Sequence, residues 1–362
     1  MERKAYIDNL RWLCILLLFP YHAAMAWNCW GEGNYILLGE NRAISSIVVA
    51  ASPWYMPLLF LLAGISAKFA LTKRSFGEYL KERSFKLLLP LLTGTLTMMP
   101  FMTYIADHVN HGYAGNYVSH YAVFFGKWTD LTGYDGGFTV GHLWFLLYLY
   151  LVSLVSIGVI WLQKRYVSAN KAKSFTPFGI VVFCIAAMLL MPVELGSKSI
   201  LTYWLFFLLG YYVFSEEENI KKLGKKKYLY LIVFAVSTGF NVYLSLWSRW
   251  ECDLLNTFAK YLSGVFGILT LLVFGKAYLD HSNKAAKYLT ASSFSLYLFH
   301  FIWIVFFQYF FDQLFENTVV LLVTSVLCAL AASAVTYQIV KANPFLRMLF
   351  GIRAGSRSGG RF

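Results

Sequence analysis

Apolar residues occur along this chain in long stretches that short polar segments separate. A helix needs about twenty apolar residues to cross about 30 Å of hydrocarbon. The pattern predicts ten transmembrane helices, at residues 10–29, 44–70, 87–106, 141–162, 176–193, 199–214, 228–247, 256–279, 291–311 and 318–340. The predicted fold is therefore an all-α polytopic membrane protein, a bundle of about ten transmembrane helices. A composition of 59% hydrophobic and 14% charged residues agrees, because soluble domains carry far more charge.

The basic residues are divided unequally between the two predicted sides of the membrane. With the N-terminus inside, 26 of the 31 fall in predicted cytoplasmic segments, and the outer segments hold the remaining five: Arg42, Lys127, Lys198, Arg249 and Lys260. Because Lys and Arg collect in cytoplasmic loops, this division predicts that both termini are cytoplasmic. The net charge of +13 then reflects topology and attraction to anionic membrane lipids, and nucleic acid is not an expected partner.

The pattern leaves little sequence outside the membrane. We expect residues 1–341 to form one transmembrane domain and residues 342–362 a cytoplasmic tail, whose end, rich in Gly, Ser and Arg, should be disordered. The longest outer loop, residues 107–140, is the predicted contact site for an external ligand. Its His108 and His111 have a spacing that a metal could use, but we expect a solvated loop there.

The first predicted helix contains Asp8, Arg11 and His22 within an apolar segment. Eleven residues of an α-helix make about three full turns and rise about 16 Å. Arg11 and His22 should therefore share one face of the helix. Ionisable groups inside a bilayer are costly, which makes such a pair a candidate functional site. Arg11 would lie at the cytoplasmic edge, and His22 would be buried further along.

These residue types suit a group transfer to a hydroxyl. His22 is the candidate base, since imidazole titrates in the range needed to remove a hydroxyl proton. Arg11 is the candidate for holding a phosphate or a thioester-linked donor, with Asp8 orienting it through an ion pair. Each residue also has a structural alternative: His22 could be a packing histidine, Arg11 a topology anchor and Asp8 a helix cap.

Residues 6–11, followed after ten residues by His22, resemble the opening signature of acyltransferase family 3, a family of integral-membrane O-acyltransferases. Further segments are similar to that family's signatures, at residues 57–64, 79–90, 142–146 and 293–300. Residues 142–146 and 343–347 look most like the branch that contains membrane succinyltransferases of periplasmic glucans. Trp12 and Ala63 stand where the family commonly has a small residue and a serine. The resemblance implies acyl transfer from cytosolic acyl-CoA to a hydroxyl at the outer face.

Further candidate residues concern the binding of donor and acceptor. His142, at the outer edge by hydropathy, and His300, near the middle of the membrane, are candidates for the acceptor path, with Trp144 and Tyr297 beside them. Basic residues on the cytoplasmic side, including Arg83 and Lys86, could hold the phosphates of coenzyme A.

We therefore predict an O-acyltransferase of the inner or plasma membrane that moves an acetyl or succinyl group from acyl-CoA to a glycan or related hydroxyl acceptor. The donor acts as a substrate, and neither a bound cofactor nor a metal is expected. The alternatives are a transporter of lipid-linked sugar or another polar substrate, and a non-catalytic scaffold. Free thiols are the simplest expectation for the five cysteines, although a disulfide between Cys29 and Cys252 is conceivable.

Overall fold

The computed structural model describes residues 4–128, 131–134, 137–166, 175–249 and 252–352. Within these ranges the regular structure is helical, apart from two isolated β-bridges, which confirms the predicted all-α class. The α-helices are α1 (Ala5–Ala24), α2 (Arg42–Ala51), α3 (Tyr55–Ala70), α4 (Phe76–Arg83), α5 (Leu89–His111), α6 (Tyr117–Gly126), α7 (Trp144–Tyr166), α8 (Pro177–Met188), α9 (Ile200–Leu209), α10 (Glu217–Gly224), α11 (Lys227–Leu246), α12 (Asp253–Tyr278), α13 (Lys284–Asp312), α14 (Thr318–Ala342) and α15 (Pro344–Leu349).

Eight helical segments in the described ranges are long and apolar enough to cross a membrane: Ala5–Trp27, Arg42–Ala70, Phe76–His111, Gly141–Tyr166, Lys227–Leu246, Asp253–Tyr278, Lys284–Asp312 and Thr318–Ala342. They match eight of the ten predicted spans. The other two predicted spans correspond to shorter apolar helices, Pro177–Met188 and Ile200–Phe214. The polytopic membrane fold is thus confirmed, whereas the count of ten crossings and the cytoplasmic termini stay predictions.

The residues on either side of the short helix α9 reach both ends of α7. Near the start of α7, the Tyr148 hydroxyl donates to the backbone carbonyl of Leu195, in the loop between α8 and α9. Near the end of α7, the Tyr212 hydroxyl donates to Oε1 of Gln163 at 2.5 Å, just beyond α9. Helix α9 and its flanking residues therefore lie alongside α7 over much of its length.

Helix α1 runs parallel to α13 and is bonded to it at both ends. At its start, the Asn9 amide donates to the carbonyls of Leu279 and His281, at 2.7 and 2.9 Å, just before α13. Near its end, the carbonyl of Ala23 accepts from the Gln308 amide at 2.8 Å. This parallel alignment brings the last turns of α1 beside the second half of α13, from His300 to Gln308.

Helix α3 closely approaches α9 and the π-helical segment Gly210–Phe214 that continues it, because each side has a glycine at the contact. A Cβ added to Gly64 would overlap the backbone carbonyl of Phe207, and one added to Gly210 would overlap that of Leu61. Backbone atoms cannot move away as a flexible side chain can, so these positions require glycine. The contact fixes α9, and with it the loop that precedes α9, against the bundle.

An ion-pair cluster joins the start of α1 to the end of α12. The Lys276 ammonium lies 3.3 Å from the Glu217 carboxylate and 2.6 Å from that of Asp280, which also accepts from the Tyr6 amide at 3.2 Å. Partial burial opposes ionisation of Asp280, but the hydrogen bonds from Lys276 and the backbone amides, together with the Lys276 charge, outweigh it and lower the pKa of that carboxyl. The cluster anchors the first turn of α1.

The predicted cytoplasmic tail is partly folded onto the bundle. Helix α15 follows α14 directly, and the Thr93 hydroxyl of α5 donates to the carbonyl of Leu349 at 3.1 Å. The ring of Phe350 meets that of Phe299 at 4.9 Å. The terminal segment predicted to be disordered, residues 355–362, lies outside the described residues.

Candidate active site

A cavity of about 390 Å³ opens at the end of the bundle where α1 finishes and α7 begins. His22, His142 and Trp144 line it, so three of the candidate residues share one space. The rest of its wall comes from the residues after α1, the junction of α2 and α3, the loop before α9, and the starts of α9 and α12. The aromatic and charged side chains among them are Tyr21, Glu32, Tyr35, Tyr55, Tyr134, Glu194, Lys198, Tyr203, Lys260, Tyr261 and Phe301.

Three imidazole rings meet at the base of this cavity. The ring of His300 lies 5.1 Å from that of His22 and 5.0 Å from that of His142, measured between centroids. His300 is fully buried, whereas His22 is only half-buried. The Phe301 ring stacks on His22 at 4.2 Å and fixes the plane of that imidazole. Hydropathy placed His142 and His300 at different depths, but their rings are in contact.

Backbone carbonyls hold two of these rings. Nε2 of His142 donates to the carbonyl of Leu298 at 3.0 Å, and Nδ1 of His300 donates to that of Tyr297 at 2.7 Å. The Tyr297 hydroxyl in turn donates to the carbonyl of His142 at 2.7 Å. Tyr297 and His300 are buried behind the cavity wall and contact the residues that form it.

Gly141 allows the ring of His142 to reach inward. Its φ of +49° belongs to the left-handed region, which a side chain disfavours. A Cβ at this position would also lie 2.6 Å from the Tyr35 hydroxyl and 2.7 Å from the sulfur of Met99. The backbone can therefore turn tightly before α7, in the 3₁₀ segment Gly141–Leu143 that carries the histidine.

The other end of α1 holds the predicted partners of Arg11. One guanidinium nitrogen lies 3.1 Å from the Asp8 carboxylate, and another donates to the Ser66 hydroxyl of α3 at 2.8 Å. The Arg11 side chain is 33% exposed and that of Asp8 14%. The ion pair predicted from the spacing is present, and Ser66, which sequence reasoning missed, completes it. The guanidinium is thus held in place yet accessible.

Arg83 and Lys86 lie on α4 and on the π-helical segment Ser84–Leu88 that continues it. The Arg83 guanidinium sits 4.9 Å above the ring of Tyr79, and the Lys86 ammonium lies 2.7 Å from the Glu82 carboxylate. Both side chains therefore make contacts with residues one turn earlier.

The loop between α8 and α9 supplies cavity residues that the sequence did not reveal. The Lys198 ammonium lies 5.3 Å from the Trp144 ring centroid, and Glu194 lines the same side. From the sequence, both were simply charges in a short loop between two apolar segments. Their position depends on the packing of α9 against α3, which is a tertiary effect.

The long loop after α5 contributes one side of the cavity mouth. Thr132, Gly133 and Tyr134 line the cavity, and the ligand role of this loop stays a prediction. The Tyr134 hydroxyl donates to Asp107 at 2.6 Å. Asp107 is buried and also lies 2.7 Å from Nε2 of His120. The loop is thus organised around a buried carboxylate.

The histidines predicted to be solvated also have partners in this loop. Helix α5 continues to His111, five residues beyond the predicted span. The Nδ1 atom of His111 lies 3.0 Å from Asp107, and that of His108 lies 2.9 Å from the carbonyl of Tyr113.

The five cysteines all fall within the described residues and are free thiols, so Cys29 and Cys252 are not joined.

The fold and the cavity define a polytopic helical membrane protein with a histidine-lined site, and the family comparison gives its class as an integral-membrane acyltransferase. The chain is a member of acyltransferase family 3: the family model described as an acyltransferase domain matches residues 4–338. The protein is accordingly an O-acyltransferase. No curated protein and no solved structure matches it. The family resemblance is confirmed, and the narrower resemblance to glucan succinyltransferases stays a prediction.

Proposed function

We propose that this enzyme transfers an acetyl or succinyl group from cytosolic acyl-CoA to a hydroxyl of an extracytoplasmic glycan or related acceptor. The observation that carries the proposal is the polarity of α1, which has an accessible guanidinium near its start and a cavity-lining imidazole near its end. These two groups are separated by eleven residues, or about 16 Å along the axis. A donor from one side and an acceptor from the other can therefore meet on this helix.

His22 acts as the general base in this proposal. The acceptor hydroxyl enters the cavity, and His22 takes its proton as the oxygen attacks the thioester carbonyl. An O–C bond forms, the C–S bond breaks, and the coenzyme A sulfur leaves. The proton on His22 then passes to that sulfur, which regenerates the neutral imidazole and releases the free thiol of coenzyme A.

Arg11 positions the donor. Its guanidinium is oriented by Asp8 and Ser66 and is partly exposed, so it can contact a phosphate or the thioester-linked arm at low entropic cost. Arg83 and Lys86 are the proposed contacts for the coenzyme A phosphates. Because each already has a partner on α4 or its continuation, we assign them a smaller share of donor affinity than Arg11.

The cavity wall suits a sugar-like acceptor. Trp144 and several tyrosines offer flat apolar faces, while Glu32, Glu194 and Lys198 offer groups that hydrogen-bond to hydroxyls. His142 and Trp144 contact the acceptor directly, and Tyr297 and His300 support that wall from behind. If the termini are cytoplasmic as predicted, this cavity faces outward, and the enzyme acts in the inner or plasma membrane.

The test is acyl transfer by the purified protein in lipid vesicles. Acetyl-CoA and succinyl-CoA, each labelled in the acyl group, are supplied with a soluble glucan oligosaccharide, and label in the glycan is measured. We expect transfer from one donor, and none from the His22→Ala variant. Binding of neither acyl-CoA by the folded protein would refute the donor assignment. Donor binding and hydrolysis without transfer to the glucan would refute the acceptor class alone.

A further inference from the structure

The contact between His22 and His300 has a chemical consequence beyond packing. Nδ1 of His22 is buried and has no hydrogen-bond partner among the described residues, and the same holds for Nε2 of His300 in the adjacent ring. A buried polar atom without a partner is costly, commonly about 1–3 kcal/mol, so two in neighbouring rings require an explanation. One nitrogen as donor and the other as acceptor would satisfy both.

Backbone contacts determine which nitrogen of His300 carries the proton. The carbonyl of Tyr297 can only accept, so the Nδ1 atom bonded to it must be protonated. In the neutral ring, Nε2 of His300 is then a bare acceptor. The same reasoning applies to His142, whose protonated Nε2 donates to Leu298 and whose Nδ1 is bare. Two bare nitrogens cannot bond to each other, so His142 does not satisfy Nε2 of His300.

We propose that His300 is the positioning residue of the catalytic base: its Nε2 accepts a hydrogen bond from Nδ1–H of His22. This selects the tautomer of His22 whose Nε2 is unprotonated and free to take the acceptor proton, and it stabilises the imidazolium that then forms. The carbonyl of Tyr297, His300 and His22 thus form a relay in which a neutral imidazole does what a carboxylate does in a catalytic triad. The inference rests on the proposed base role of His22.

Two features of the structure favour this arrangement. His300 is fully buried behind the cavity wall, where it can contact His22 and is kept from the acceptor. The ring of Phe301 stacks on His22 at 4.2 Å and keeps its imidazole beside that of His300, whose centroid lies 5.1 Å away. Substrate contact is therefore left to His22 and His142, and tautomer selection to His300.

Nitrogen-15 NMR of the full-length protein in lipid, with labelled histidine, tests the proposal without any activity measurement. Chemical shifts distinguish a protonated from a bare imidazole nitrogen, and the His22→Gln variant identifies the His22 signals. We expect protonated Nδ1 and bare Nε2 for His22 near neutral pH. The opposite tautomer in the wild-type protein overturns the inference directly.

A matched pair of variants separates hydrogen bonding from packing. His300→Gln keeps an acceptor oxygen, whereas His300→Met has a similar volume without a strong acceptor. We expect His300→Met to lower kcat about 100-fold with little change in KM for acyl-CoA, and His300→Gln to retain activity within about tenfold. His281→Met, at an exposed histidine, controls for general loss of a histidine.

The outcomes distinguish this inference from the proposed function. Equal losses in the two His300 variants, with the His22 tautomer unchanged, reduce His300 to a packing residue and overturn the inference. If the protein has the expected His22 tautomer but transfers neither acetyl nor succinyl groups, the hydrogen bond between His22 and His300 is supported and the proposed reaction is refuted.

Discussion

The two ends of α1 differ in how their polar groups are satisfied. At the first end, Arg11 is bonded to Asp8 and Ser66, and the pair is half open to its surroundings. At the second end, His22 lines a cavity, and its buried Nδ1 has no partner among the described residues. A partnered guanidinium suits a fixed binding group, whereas an imidazole that lines a cavity is placed for proton transfer. In the proposed function, one helix therefore separates donor positioning from the chemical step.

The largest expected effect is at the unpartnered end. His22→Ala should lower the transfer rate by about 10²–10⁴-fold, the usual contribution of a general base. The dissociation constant for acyl-CoA should not change, because the side chain faces the acceptor cavity. Transfer of labelled acyl groups and equilibrium binding of acyl-CoA measure the two quantities, with His281→Ala as the control. If His22→Ala lost transfer and donor affinity to the same extent, the two ends of α1 would not have separate roles.

At the partnered end the effect should appear in donor binding. Arg11→Ala should weaken acyl-CoA binding by about ten- to a hundredfold, the loss expected for hydrogen bonds to a charged group. The thermal midpoint should change little, because a partly exposed ion pair contributes modestly to stability. Equilibrium binding and thermal unfolding in detergent report both values.

Lys284→Ala is the matched control for Arg11→Ala, since it removes an exposed basic residue at the same end of the bundle. If Arg11→Ala lost transfer but kept its donor affinity, Arg11 would act in the chemical step and not in positioning the donor.

The pH dependence of the rate sharpens the assignment of His22. A protonated imidazole cannot accept a proton, so the rate should fall as the pH falls, by about tenfold per unit once His22 is mostly protonated. The loss should reverse on return to neutral pH. Steady-state rates of the wild type and of His22→Gln test this, and a residual activity of the variant with the same acid limb would show that another group titrates.

The smallest expected effect comes from crowding the cavity mouth. Thr257 of α12 is exposed and lines the cavity, whereas Leu143, between the lining residues His142 and Trp144, is fully buried and does not line it. A bulky membrane-impermeant maleimide on Thr257→Cys, with Cys252 replaced by serine, should slow transfer several-fold and leave acyl-CoA binding intact. Labelling from outside intact cells also tests the predicted outward orientation.

Glu316→Cys, exposed at the same end of the bundle but away from the cavity, is the control for this label. Loss of donor binding on labelling Thr257→Cys would place the donor at this mouth.

Much of the fold was readable from the sequence because hydropathy and charge act locally. Apolar runs located eight long helical segments, and the spacing from Asp8 to Arg11 gave an ion pair that the structure contains. The same reasoning overestimated the length of α8, because hydropathy does not distinguish a short apolar helix followed by turns from a full span.

The cavity was only partly predictable. His22, His142 and His300 are 120 and 158 residues apart in sequence, and only the parallel packing of α1 on α13 and the turn at Gly141 bring their rings together. Ser66, Lys198 and Glu194 carry no local signal, since their roles depend on which helices become neighbours. Hydrophobic periodicity and residue spacing do not predict such long-range contacts.

The shortness of α8 has a consequence for the lipid around the enzyme. Its twelve residues rise about 18 Å, against about 30 Å of hydrocarbon, and Phe178, Val182 and Phe183 are exposed along it. A bilayer adjusts to a short apolar surface by thinning beside it, at modest cost per ångström. The loop that carries Lys198 follows this helix, so the membrane should be thinnest next to the cavity mouth. Water and a large hydrophilic acceptor would then reach His22 without crossing a full leaflet.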